Sequence, residues 1–199
     1  MKKKGLVVVL LFILFLMIPS NDVEAASKKK VYKAYYSWMV KKAPKSYKEY
    51  SLVKLDNDNI PELIGHYQDD YGMHYYVICS YNGKKVVTNE LYAGMAYTSS
   101  YRGSLYYIPK KGKILQYTSY AAGTQKSDEV YKLKKGKLKV VANGTFEYRN
   151  NKSIYRWNDK KVSKSTYKKK LKKAFNQSKA KSFGDIQFYS KSKMKKKLK

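Results

Sequence analysis

From residue 73 to residue 159, short strand-like runs of apolar and polar residues occur in pairs separated by turn residues, and each pair predicts a β-hairpin. Residues 73–81 and 85–91 flank Asn82-Gly83, a dipeptide typical of two-residue hairpin turns. The pattern recurs with runs at 105–109 and 114–120 around Lys111-Gly112, runs at 130–133 and 138–141 around Lys135-Gly136, and a run at 153–157 before Asn158-Asp159. The spacing of these turns is uneven, so the pattern is a weak repeat of one hairpin rather than a solenoid.

Two other segments have the period of an α-helix. Between residues 28 and 42, apolar side chains recur every three or four positions, which predicts a helix that Pro44 ends. Its apolar stripe consists of Val31, Ala34, Tyr35, Trp38 and Met39. The pattern over residues 166–176 predicts a second helix, with Ser163 or Ser165 as its N-cap. Its apolar edge consists of Tyr167, Leu171 and Phe175. Both stripes are typical of helices that pack on a sheet.

Together these elements predict one α+β domain over residues 26–189. We expect an antiparallel, hairpin-rich and curled β-sheet of roughly six to nine strands, with an N-terminal and a C-terminal helix. Residues 185–189 either add an edge strand or trail from the domain. Residues 190–199 are dominated by lysine, and this composition predicts a disordered basic tail.

The first 25 residues have the pattern of a secretory signal peptide. Three lysines at positions 2–4 precede an apolar run at 6–18, and Val23-Glu24-Ala25 supplies the small residues that a signal peptidase reads. The run is shorter than the roughly 20 residues that a transmembrane helix needs. The sequence therefore predicts a secreted, extracellular protein with no stable membrane span, released or held at the cell wall.

Charge is the strongest global feature of the chain. The sequence contains 43 Lys and Arg against 14 Asp and Glu, for a formal net charge of +29. Lysine dominates, which favours diffuse attraction to polyanions over bidentate recognition of a phosphate or a base. We expect an anionic surface polymer, such as the teichoic acid of a Gram-positive wall, to be the partner. The predicted contacts are Lys168, Lys169, Lys170, Lys172 and Lys173 in the second helix and Lys195, Lys196 and Lys197 in the tail.

An acidic turn interrupts this basic chain between two apolar runs. Asp56, Asn57, Asp58 and Asn59 follow Leu55, and residue types of this kind favour turns because their side chains bond the local backbone. Carboxylates at alternate positions of a loop also converge on calcium ions. The pattern therefore leaves two hypotheses, a structural turn and a weak calcium site.

Residues 54–63 resemble the D-x-D-x-D-G-x-P-E-L signature of many secreted proteins from clostridia and related Gram-positive anaerobes. That signature is itself similar to the calcium loops of dockerin modules and integrin-type propeller repeats. The resemblance implies ligands from Asp56, Asp58 and the backbone carbonyl of Ile60, and it also includes Glu62. Lys54 stands where the family has its first Asp, and loss of that carboxylate weakens calcium binding. The resemblance implies no activity, since the group is largely uncharacterised.

Tyrosine is abundant, with 22 residues, and most lie in the predicted strands. A strand tyrosine usually places its ring inward and its hydroxyl at the water. The alternative is an exposed platform for sugar rings or stacked bases. The residues nearest the loop-rich side are Tyr92, Tyr97, Tyr101, Tyr106 and Tyr107, and these form the predicted glycan platform.

No arrangement of residues in the sequence predicts an enzyme. Cys79 is the one cysteine, and its apolar surroundings favour a small core residue over a nucleophile. His66 and His74 are the two histidines, and their spacing matches no zinc motif, so we expect them on strand faces. Glu62 with Asp56 or Asp58 lies in a tight turn rather than across the cleft that glycoside hydrolysis requires.

The sequence is consistent with three functions. The favoured one is a noncatalytic exported protein that associates electrostatically with anionic surface polymers. The first alternative is a carbohydrate-binding module with a degenerate calcium-loop turn. The second alternative is a secreted cationic, toxin-like or inhibitory protein that acts on membranes or nucleic acid.

Overall fold

The computed structural model of the protein describes residues 27–96 and 100–199. The predicted signal peptide and Tyr97 lie outside the described residues. The described strands are β1 (Glu49–Val53), β2 (Glu62–Gln68), β3 (Met73–Tyr81), β4 (Val86–Met95), β5 (Arg102–Ile108), β6 (Lys113–Tyr120), β7 (Gln125–Lys134), β8 (Lys137–Arg149), β9 (Lys152–Trp157), β10 (Lys160–Val162), β11 (Lys181–Ser182) and β12 (Tyr189–Ser190). The described α-helices are α1 (Lys28–Lys41), α2 (Lys164–Ala174) and α3 (Lys191–Lys197).

All twelve described strands belong to one antiparallel sheet, and its strand order largely follows the chain. Neighbouring strands from β10 back to β1 are successive in sequence, β12 continues the sheet beside β1, and β11 pairs with β5 off this path. The prediction of an antiparallel, hairpin-rich sheet with helices near both ends is confirmed. More strands are present than expected because short pairings, such as the two residues of β11, leave almost no periodicity in the sequence.

The sheet is not closed, and it is weakly joined at one point. Among the residues that the structure describes, strands β4 and β5 pair only through Gly94 with Gly103 and Met95 with Arg102. Elsewhere they separate, and β11 pairs with β5 there through Lys181 and Ser182. The sheet therefore consists of two halves, β1–β4 and β5–β10.

A central core lies between these two halves. It contains Ile64 and Ile78 from the first half and Leu105 and Ile114 from the second half, together with Phe183. Successive side chains of a strand point to opposite faces of the sheet. The strand residues that precede and follow these core residues therefore point away from the central core. On the first half the outward residues pack with α1 and α3. On the second half they pack with α2. The three helices thus cover the two outer faces.

Helix α1 has the predicted position and packing. The Ser27 side chain caps it by accepting a hydrogen bond from the amide of Lys30 at 3.3 Å. Val31, Tyr35 and Met39 are buried against the sheet, which confirms the prediction of a core-packing stripe. Among the residues that the structure describes, no helix combines the length and the apolar character that crossing a membrane would require.

The prediction of a disordered tail at residues 190–199 is wrong. Strand β12 and helix α3 occupy this segment, and Ser190 caps α3 by accepting from the amide of Lys193. Met194 and Leu198 are 1% and 2% exposed in the core beneath α1. Two apolar residues four positions apart are sufficient to dock one turn of helix against a neighbouring core. The many lysines around Met194 and Leu198 made the segment resemble a disordered tail, so this helical spacing was not used in the prediction.

Candidate functional site

Helix α2 lies on the outer face of the second half of the sheet and borders a groove of about 700 Å³. We call this the α2 groove. Its walls come from β6, β7, β8, β9, α2 and the segment that follows α2. The lining residues are Tyr117, Lys126, Asp128, Phe146, Tyr155, Lys164, Tyr167, Lys168, Leu171, Lys172, Phe175, Asn176, Gln177 and Ser178.

Helix α2 begins and docks for reasons visible in its sequence. The Ser163 side chain accepts from the amide of Thr166 at 3.1 Å and so satisfies a free amide of the first turn. The helix is therefore Lys164–Ala174, two residues earlier at each end than the predicted 166–176. Tyr167 lies directly on β8, where Gly144 leaves room for it. A Cβ at Gly144 would stand only 2.7 Å from the Tyr167 hydroxyl oxygen.

Aromatic rings form the apolar part of the α2 groove. The rings of Phe146 and Tyr155 are 5.1 Å apart, and those of Tyr155 and Tyr167 are 5.5 Å apart. Phe146 and Tyr155 are half-buried, so part of each ring is accessible to a ligand. Sugar rings and bases both present flat apolar faces that pack on such side chains.

Four lysines surround these rings. The Lys126 ammonium lies 5.5 Å from the centroid of the Phe146 ring, a distance at which a cation is attracted to the ring face. Lys164, Lys168 and Lys172 are exposed along one side of α2. Their spacing of four residues places them in one row, because residues four apart lie on the same side of a helix.

The lysines predicted from the sequence therefore divide into separate groups. Lys168 and Lys172 line the α2 groove, whereas Lys169, Lys170 and Lys173 are exposed on α2 outside its lining. Lys195, Lys196 and Lys197 belong to α3, which packs on the other half of the sheet. Lys197 lies 3.7 Å from the centroid of the Tyr189 ring. The structure does not gather the eight lysines into one surface.

One carboxylate lies at the bottom of this cationic groove. Asp128 is 7% exposed, and its Oδ2 accepts a hydrogen bond from the Tyr167 hydroxyl at 2.5 Å. Burial raises the pKa of Asp128, although the Tyr167 hydrogen bond and the nearby Lys126 oppose the shift. Burial and the same hydrogen bond raise the pKa of Tyr167 far above its ordinary value. Asp128 thus adds an acceptor for a hydroxyl or an ammonium group.

Sequence reasoning missed most of the groove wall. Lys126, Phe146 and Tyr155 come from three strands, and only the strand register brings them together. Lys126 pairs with Phe146 across β7 and β8, and Phe146 pairs with Tyr155 across β8 and β9. The hairpin turns in the sequence could have supplied the β8–β9 register. The bulge beside Val130 and Tyr131 shifts the β7–β8 register, and no sequence signal marks it.

The acidic turn brings three carboxylates together. One oxygen from each of Asp56, Asp58 and Glu62 lies within 4.8 Å of the others. Asp56 Oδ1 accepts from the amide of Asp58 at 3.1 Å, and Asp58 Oδ1 accepts from the amide of Ile60 at 2.8 Å. These local hydrogen bonds favour the turn.

Glu62 is the unusual member of the acidic turn. It is 3% exposed, and its Oε2 accepts from the amide of Leu55 at 3.0 Å. Burial raises the pKa of Glu62 to about 8, and the charges of Asp56 and Asp58 add to the shift. Three carboxylate oxygens suit a hard cation such as calcium, and Asp56, Asp58 and Glu62 would hold it. Lys54 places a positive charge near the same carboxylates, which disfavours the cation.

The predicted glycan platform is only partly formed. The rings of Tyr92 and Tyr101 are 5.9 Å apart, but Tyr101 is only 5% exposed, so its place in an exposed platform was wrong. Tyr107 instead lies in the central core, 5.4 Å from the Phe183 ring, and Tyr106 packs in the core beneath α2. Including Tyr106 and Tyr107 in one platform was therefore wrong, because adjacent residues of a strand point to opposite faces.

Three further tyrosines lie beside Tyr92 and Tyr101, and none of them belongs to the predicted platform. The Tyr120 ring lies 5.1 Å from that of Tyr101. Tyr67 and Tyr75 stack at 4.6 Å, and Tyr75 is the cross-strand neighbour of Tyr92. Directly opposed residues share a face of the sheet. These five tyrosines form the tyrosine row.

The cysteine and the two histidines have structural surroundings. Cys79 is fully buried in the core beneath α1, which confirms the prediction of a core residue, and burial raises its pKa. His66 Nε2 lies 3.0 Å from His74 Nδ1, and His66 Nδ1 lies 3.2 Å from Glu49 Oε2. Both histidines lie on strands β2 and β3, as predicted. Burial lowers the pKa of His74.

Comparison with models of protein families, with curated proteins and with solved structures gives no match for this chain. The resemblance of residues 54–63 to a calcium-loop signature therefore stays a prediction.

Proposed function

We propose that this protein is exported and binds an anionic polymer of the cell surface in the α2 groove, without catalysing a reaction. The observation that carries the proposal is the combination of four lysines and accessible aromatic rings around one groove of about 700 Å³. A groove of this volume holds one or two sugar-sized units of a longer chain.

The chemistry of the lining favours a phosphate polymer that carries sugar or polyol units. Lysine ammonium groups act as point charges, and they attract phosphates without requiring one fixed geometry. Phe146 and Tyr155 offer ring faces to the apolar side of a sugar. Asp128 supplies a buried acceptor for a hydroxyl. Wall teichoic acid combines phosphate, polyol and sugar groups in one chain.

The net charge of the chain supports the same partner in a less specific way. A formal net charge of +29 raises the local concentration of any polyanion and speeds encounter. This attraction would exist without a groove. The proposal therefore depends on showing that the groove lysines matter more than other lysines of the same helix.

The test is cosedimentation of residues 26–199 with purified Gram-positive walls, with and without teichoic acid, over a series of salt concentrations. We expect wild-type binding to fall with salt and with removal of teichoic acid. Lys168→Glu with Lys172→Glu should weaken binding by about tenfold or more, since two phosphate contacts become repulsive. Lys169→Glu with Lys173→Glu is the matched control, with the same charge change on the same helix outside the groove lining.

Equal losses in the two double variants would overturn the groove as the binding site and leave only diffuse charge. Wild-type binding that survives both salt and removal of teichoic acid would instead favour a second candidate, a neutral glycan site on the tyrosine row. The observation that favours this candidate is the exposure of Tyr92 and Tyr120, at 39% and 41%, at one end of that row.

A further inference from the structure

A second lysine-lined groove lies on the other half of the sheet, between α1 and the β3–β4 hairpin. Its volume is about 580 Å³, and we call it the α1 groove. Five lysines and a tryptophan dominate its lining: Lys30, Lys33, Lys42, Lys84, Lys85 and Trp38. Among the described residues that line it, none carries a carboxylate.

The lysines of the hairpin are held in place by their own turn. Asn82 Oδ1 accepts from the amides of both Lys84 and Lys85, at 3.1 and 2.9 Å. The Tyr81 hydroxyl donates to the carbonyl of Lys84 at 3.3 Å. A fixed backbone lowers the conformational entropy that this turn loses when its lysines bind an anion.

The helix side of the groove is fixed in the same way. Val31, Tyr35 and Met39 anchor α1 in the core. Lys30 and Lys33 therefore project from a helix whose rotation about its own axis is restricted by packing. Trp38 is half-buried against that core and also lines the groove. The α1 groove thus repeats the chemistry of the α2 groove, with ammonium groups beside an aromatic ring.

The two grooves lie on separate outer faces of the protein. Helix α1 packs on the residues of β2 and β3 that point away from the central core, and α2 packs on the corresponding residues of β6–β9. The central core therefore separates them. A polymer segment seated in one groove leaves the other groove free for a second segment.

We propose that the α1 groove is a second site for an anionic phosphate polymer, and that the protein thereby cross-links polymer chains. This inference takes its ligand class from the proposed function. Two sites on one protein bind a long chain or a wall surface with an effective concentration that neither site reaches alone. Neighbouring chains joined in this way form a network.

The test measures binding and turbidity separately with a defined probe, long-chain inorganic polyphosphate, and with purified teichoic acid. The wild-type chain should produce turbidity that peaks at an intermediate protein-to-polymer ratio and disappears in excess protein. Lys33→Glu with Lys84→Glu should lose at least about three quarters of the peak while retaining one-to-one binding, since one site per chain cannot build a network. The α2-groove variant should lose turbidity in the same way.

The matched control is Lys139→Glu with Lys152→Glu, two exposed lysines outside both grooves. The inference is overturned if the α1-groove variant gives the same turbidity as this control. Failure of the wild-type chain to bind either polymer would overturn the proposed function itself. Wild-type binding without turbidity, at one polymer site per chain, would preserve the proposed function and reject the second site.

Discussion

The acidic turn and the α2 groove each bury one carboxylate, and the surroundings give the two groups different uses. Glu62 is buried beside two further carboxylates, and its burial and their charges disfavour its charged form more than the amide of Leu55 favours it. Asp128 is buried beside the Tyr167 hydroxyl and near Lys126, and both favour its charged form. The first arrangement attracts a proton or a cation, and the second provides an acceptor inside a cationic groove. Local neighbours, rather than the net charge of the protein, decide which ligand each region suits.

The largest expected effect concerns the proton on Glu62. Its pKa is about 8 in the folded protein against an ordinary 4.5, so the folded chain holds a proton that the unfolded chain releases. The resulting stability is fully present below pH 4.5 and is lost as pH rises through 8. Glu62→Gln should remove this loss, on the order of 5 kcal/mol, and leave unfolding less dependent on pH. Denaturant unfolding across that pH range measures it.

Glutamine keeps an oxygen for the amide of Leu55, so the variant tests the charge and not the hydrogen bond. Asp70→Asn is a control at an exposed carboxylate in the turn between β2 and β3. If the free energy of unfolding depends on pH in the same way in the wild type and in Glu62→Gln, the pKa of Glu62 is not raised in the folded protein. The proposed difference between Glu62 and Asp128 would then be wrong.

A smaller effect is expected from the partner of Asp128. Tyr167→Phe removes the hydroxyl that donates to Asp128 and leaves a buried carboxylate without that bond. We expect a loss of about 1–3 kcal/mol in the free energy of unfolding. Tyr155→Phe, which also removes a hydroxyl from the α2 groove, should cost less. Thermal and urea unfolding of both variants at neutral pH measure the difference. A loss no greater in Tyr167→Phe than in Tyr155→Phe would contradict the role assigned to the bond.

The smallest effect is expected from calcium on the wild-type acidic turn. Lys54 and the small number of carboxylates make binding weak, so about 10 mM calcium should stabilise the fold by less than about 1 kcal/mol at pH 8. Lys54→Asp restores the acidic residue that the resembling family has at this position and should enlarge the effect. Thermal unfolding with calcium, with magnesium and with chelator measures it. No response in Lys54→Asp would identify the turn as purely structural.

Several local elements followed directly from residue types. Asn82-Gly83 predicted the hairpin between β3 and β4, and Ser163, one of the two predicted N-caps, caps α2. The D-N-D-N segment predicted an acidic turn, and the structure brings Asp56 and Asp58 together with Glu62. These features depend on contacts between residues close in the chain, so their causes are visible in a short stretch of sequence.

The candidate sites depended on contacts that a sequence does not display. The α2 groove is lined by Lys126, Phe146 and Tyr155 together with α2. The register of β7, β8 and β9, including one bulge, places these three residues side by side. Tertiary packing also separates the predicted lysines onto two helices and places Tyr107 in the central core. It also turned the expected basic tail into α3, because the core supplied a surface for Met194 and Leu198.

The sequence by itself determined the hairpins, the two longer helices, the acidic turn and the strongly positive charge of this protein, since each follows from local conformational preference or from composition. The tertiary structure decided which lysines meet which rings and which carboxylates lose contact with water. It did so because side-chain neighbours across a sheet are set by register, and pKa shifts are set by burial.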